Sequence, residues 1–188
     1  AIPVQKMLDM VVNDTAGPVH WGKNQKGMQA GEECKERVVI PRQLNDACNK
    51  WAVETGCPSG FDENGEWELS RESAWKFSAW LMAQMSGAFS AAGYHKQVAN
   101  RLTEPFQYIQ VVVTSTQWQN FYDLRCHPDA MPEFQALAKD MRAVIECGTP
   151  RKLRAGEWDV PFLEEGEDLM PLEVQLKLSA ARCASTSY

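Results

Sequence analysis

Apolar residues open the chain at helical spacing: Val4, Met7, Leu8 and Val11 share one face of a helix whose first turn Pro3 can occupy, because proline there loses no needed hydrogen bond. That helix is expected to stop near Asn13. From Thr15 to Gly31 the periodicity vanishes and Gly17, Pro18, Gly22, Gly27 and Gly31 take over, the pattern of an ordered or ligand-approaching loop. Glu32 to Thr55 reads as helical, interrupted or restarted at Pro41, and Gly56 to Gly65 is a turn-rich break. Ser70 is the expected N-cap of a long helix from Arg71 to Ala92, where Trp75, Phe77, Ala79, Leu81, Met82, Met85 and Phe89 predict contacts on more than one side. Gly93 is its expected stop.

In the second half, a short helix over His95 to Leu102 runs into Pro105. Phe106 to Thr114 (FQYIQVVVT) is the strongest strand pattern in the chain, by its β-branched and aromatic content. Ser115 is placed to cap a helix from Thr116 to Leu124, Cys126-His127-Pro128 predicts a turn, and Asp129 predicts the cap of a helix reaching about Glu146, which Gly148 and Pro150 end. Gly156 to Gly166 reads as loop and extended chain around Trp158, Val160 and Phe162. Pro171 then starts a last helix through Leu172, Leu176, Leu178 and Ala181. The expected fold class is α+β, a helix-rich domain around a small β-sheet. With 188 residues, 44% hydrophobic content and neither an internal repeat nor a low-complexity linker, the expectation is a single domain over 1–188.

Charge and cysteine usage narrow the function classes. A net charge of -6 argues against general attraction to nucleic acid or an anionic membrane, so an anionic ligand would need specific arginines. The six cysteines are widely spaced with no C-x-x-C pair, and three histidines complete no obvious site, which argues against structural zinc or another metal centre and for free thiols in a cytoplasmic protein. No stretch approaches the roughly 18 apolar residues of a membrane span, and no secretory leader opens the chain. Ala1 starts without a methionine and Tyr188 ends just after a helical pattern, so the expectation is a piece of a longer chain.

Candidate chemistry concentrates in the centre. Arg101 and Arg125 fall at the ends of short helices joined by the expected strand, an order that would let both guanidinium groups approach one pocket near a sheet edge. A guanidinium fork suits a phosphate or a uracil carbonyl, although a lone arginine is more often a solvated surface charge. Thr114, Ser115 and Thr116 precede Gln117 and Asn120 at the start of the helix ending in Arg125, where free N–H groups attract phosphate or where an ordinary hydroxyl cap suffices. G-x-S-x-G, P-loop, G-x-G-x-x-G and H-E-x-x-H patterns are absent. Cys126-His127 has no third orienting group for thiol catalysis. Trp51, Trp67, Trp75 and Trp80 read as core or interface residues rather than a base-stacking platform.

The run NRLTEPFQYIQVVVTSTQWQNFYDLRCHPDAMPEFQALA, Asn100 to Ala138, resembles the flavin-dependent thymidylate synthases in the form found in bacteriophages. AIPV from Ala1, PVHWGKNQKGMQA from Pro18, HKQVANR from His95, GEWDVPF from Gly156 and SAARCASTSY from Ser179 also resemble that form, leaving about 32–92 as a variable helical insert. The resemblance implies conversion of dUMP to dTMP, with methylenetetrahydrofolate as carbon donor and NADPH reducing FAD, in a homotetramer within a bacterial or phage-infected cell. It implies further that Arg101 binds the dUMP phosphate, that Arg125 lies against the uracil as the catalytic arginine, and that Thr114, Ser115, Thr116 and Asn120 contact FAD. The family signature R-H-R-x-x-S is absent from the 188 residues, Ser185 replaces the arginine of A-R-x-S-[YF], whose serine is matched by Ser187, and Met131 stands where the family commonly has glutamine. An enzyme-derived fragment or incomplete homologue, retaining nucleotide or flavin binding or an assembly role, is the alternative.

Overall fold

The computed structural model describes residues 3–57, 60–61, 65–109, 111–149 and 151–184. They divide into two compact units: one takes in the residues up to Gln25 together with Gly31–Tyr108, the other Lys26–Ala30 with the residues from Ile109 onward. The fold is α+β, with helices predominating over one small antiparallel sheet. No helix among the described residues is long and apolar enough to cross a membrane.

In the first unit, α1 (Val4–Asn13) begins behind Pro3 as its N-cap and buries Met7 and Val11, the two positions of its apolar face one turn apart. The expected helix over Glu32 to Thr55 forms only in its last 11 residues. Val38–Val39 make strand β1, Arg42–Leu44 a single 3₁₀ turn, and α2 spans Asn45–Thr55. The physical reason is local: Val38, Val39 and Ile40 are β-branched, and Pro41 forces the residue before it out of the helical region. Gly56 ends α2 with φ of 64°, a left-handed conformation that glycine adopts without a Cβ penalty.

Strand β2 (Gly60–Phe61) and β3 (Trp67–Leu69) complete the sheet in the order β1-β3-β2, with Val39 opposite Glu68 and Phe61 opposite Trp67. Along β3, Trp67 and Leu69 are buried while Glu68 between them is half-exposed and accepts the Arg37 guanidinium, the period-two alternation of a strand with one covered face. The sheet therefore falls inside the segment expected to be a helical insert.

Ser70 caps α3 (Arg71–Ala91) as expected, its Oγ accepting the Ser73 N–H at 3.1 Å. Two apolar clusters use α3 from different sides. In the larger, Phe77 is sandwiched by Trp51 and Trp80, with Ile40, Cys48, Trp67 and Leu69 around them. In the smaller, Ala79 meets Met7, Val11 and Phe106, with Trp75 closing the side. Gly93 follows the helix with φ of 86°, and α4 (Lys96–Arg101) starts behind His95, whose Nδ1 accepts the Gln97 N–H.

The expected strand from Phe106 to Thr114 is a correction. Glu104–Phe106 form a 3₁₀ turn, and none of the described residues from Gln107 to Thr114 pairs in a sheet; Gln110 lies outside the described residues. Tyr108, Ile109, Val111, Val112 and Val113 are all exposed. β-propensity records fit to a half-buried pleated surface, and without a neighbouring strand to bond it cannot by itself make one.

In the second unit, α5 (Gln119–Arg125) and α6 (Pro132–Cys147) pack on each other, and α7 (Leu172–Ala184) follows the Glu167–Leu169 turn. Both expected caps here sit too early. Trp118, not Ser115, precedes α5, and Met131, not Asp129, precedes α6, where Pro132 takes the first helical position and so fixes the start. Ser115 instead closes a local turn, its Oγ accepting the Gln117 N–H.

Candidate functional site

Arg101 and Arg125 occupy the last turns of α4 and α5, where a cation complements the free carbonyls of a helix end. Both are exposed, and among the described residues neither forms an ion pair or a hydrogen bond. Arg101 belongs to the first unit and Arg125 to the second. The Arg125 guanidinium lies over the Phe134 ring at 5.6 Å from its centroid. The electron-rich ring face holds the planar cation in place while its N–H edge stays available to an anion or carbonyl.

The flavin-contact residues implied by the resemblance lie together on one stretch of the second unit. Thr114 and Thr116 are exposed with no side-chain partner among the described residues, and Asn120 sits exposed in the first turn of α5. Ser115 differs: its hydroxyl is engaged on both sides, accepting from the Gln117 N–H at 3.2 Å and donating to the Gln117 carbonyl at 2.9 Å. Two free hydroxyls and a free amide fit a ligand rich in hydrogen-bonding edges, such as a flavin ring or a phosphate. On α5 Tyr122 is buried in an aromatic group with Trp118 and Phe121, and its hydroxyl has no partner among the described residues. Ser185 and Ser187 of the last motif lie outside the described residues.

Arg182 anchors the GEWDVPF region to α7. Its guanidinium pairs with the Glu167 carboxylate, at 2.9 Å for Nη2, and donates to the Phe162 carbonyl at 2.8 Å. Phe162 holds φ of 64°, a left-handed conformation costly for a bulky residue, and the bond from Arg182 helps to retain it. The same guanidinium, then the backbone N–H of Glu164, hold the Glu167 carboxyl below its ordinary value of 4.5.

A second polar cluster in the first unit had no counterpart in the sequence reading. The loop from Thr15 to Gly31 is pinned at its base by a bridge between Gly22 and Glu33, with Lys23 N–H donating to the Glu32 carbonyl at 2.8 Å. Glu33 accepts the Trp21 N–H and both terminal nitrogens of Arg71, which lies over the Trp21 ring at 5.5 Å. The Trp21 N–H, and then Arg71, hold the Glu33 carboxyl below 4.5. His20 Nδ1 stands 3.6 Å from Glu33, while its Nε2 is buried with no partner among the described residues. Each guanidinium nitrogen of Arg71 donates to Glu33, Glu72 or the Cys34 carbonyl, so the cluster braces the loop against α3. The signal available in advance was only a histidine and a tryptophan inside a glycine-rich loop; the 38-residue separation of Glu33 and Arg71 leaves no local pattern.

All six cysteines are free thiols, and burial raises the Cys48 thiol above its ordinary value. Among the described residues no group of histidine, cysteine or carboxylate side chains is placed to hold a metal ion. In comparisons with known proteins, no family model, curated protein or solved structure matches this chain.

Proposed function

We propose that this chain is a flavin-dependent thymidylate synthase, or the greater part of one, acting on dUMP with methylenetetrahydrofolate as carbon donor and working as a homotetramer. The observation that carries the reading is the run from Asn100 to Ala138, in which two arginines and a Thr-Ser-Thr…Asn segment stand at the family's positions. The geometry supports it in one respect: Arg101, Arg125, Thr114, Thr116 and Asn120 are all exposed and uncommitted, as ligand-binding groups are before a ligand arrives.

In this reading Arg101 holds the dUMP phosphate, where its fork can donate two parallel hydrogen bonds. Arg125 lies against the uracil and stabilises the negative charge that builds on N3 and O4 as the ring becomes nucleophilic. Phe134 beneath it keeps that guanidinium oriented, which limits the reorganisation needed at the reacting ring. Thr114, Thr116 and Asn120 hold the polar edge of FAD, with Ser115 shaping the turn between them. When bound and reduced by NADPH, FAD would supply the hydride that completes the methyl group.

The purified protein is expected to show flavin absorbance and to oxidise NADPH faster when dUMP is present. Arg125→Ala should lower dTMP formation by about 10²–10³-fold, the usual cost of removing one charge-stabilising donor. A protein with flavin absorbance but dTMP formation unchanged by Arg125→Ala would reject the role assigned to that residue. The departures from the family pattern within the chain, Met131 in place of the common glutamine and Ser185 in place of the A-R-x-S-[YF] arginine, favour a second reading, a homologue that binds nucleotide without turnover. Binding of dUMP by a protein that never oxidises NADPH would select it.

A further inference from the structure

We draw no further inference here: the strongest candidate, the exposed apolar face of α6 in the second unit that carries Phe134, Leu137 and Val144, carries nothing because nothing in the structure shows what covers it.

Discussion

The two units handle their apolar residues in opposite ways. The first buries Phe77, Leu69, Val11, Trp51, Trp67 and Trp80 in two clusters along α3, whereas the described residues of the second bury only Tyr122, Ala130 and Ala138 among their apolar side chains. The second meanwhile leaves Ile109, Val111, Phe134, Leu137, Val144 and Trp158 exposed. Burial of apolar area is the main favourable contribution to folding, so the first unit holds most of what makes the isolated chain stable. Yet the second carries Arg125 and the segment proposed to contact FAD, and exposed side chains on a weakly buried support are ordinary for groups that must meet a ligand.

The sharpest way to break this contrast is truncation on each side. Phe77→Ala removes a ring only 2% exposed between two indoles and should cost about 3–5 kcal/mol. Leu137→Ala, at a residue 52% exposed on α6, should change the stability of the isolated chain by less than about 0.5 kcal/mol. Urea melts of both variants measure the difference; equal losses would mean that the second unit has an apolar core of its own.

A smaller effect is expected where one hydroxyl starts a helix. Ser70→Ala should cost about 1 kcal/mol, because the Ser73 N–H loses its acceptor at the first turn of α3. The same melts read it, and a null result would remove the cap from the account of that helix.

The mildest change falls on the Arg182 anchor. Arg182→Gln frees the Phe162 carbonyl and the Glu167 carboxylate and should speed amide exchange around 156–166 while leaving α3 unchanged. Glu167 has a folded-state value below its unfolded one, so protons favour the unfolded chain. Its contribution is complete above the ordinary value of 4.5 and disappears as pH falls through the lowered folded value. Wild type should therefore lose its protection of 156–166 over that acid range, and Arg182→Gln should show little of this dependence. An identical pH profile in the two proteins would place the titrating group elsewhere.

What the sequence made legible follows the same division. The Ser70 cap, the long α3, the proline-led α1 and the stop at Gly93 were readable because each depends on residues within a turn or two of itself. The sheet was misplaced for the opposite reason: the nine residues from Phe106 to Thr114 have the composition of a strand, but pairing is decided by a distant partner. Val38–Val39 and Trp67–Leu69, shorter and less conspicuous, pair directly as β1 and β3. The helix caps expected at Ser115 and Asp129 fall later, at Trp118 and Met131, because a polar side chain that can cap can also close a turn, and Pro132 settled the second case. Arg101 and Arg125 were correctly placed at helix ends, a local feature, while the roles proposed for them rest on the resemblance alone.

Calorimetric titration of dUMP into the wild-type chain and into Arg101→Ala tests the central claim most directly. The account predicts binding by the wild type and an affinity about 10–100-fold weaker for the variant, the loss expected when a charged hydrogen-bonding partner of a phosphate is removed. No binding by the wild type, or equal affinity in the two proteins, would contradict it.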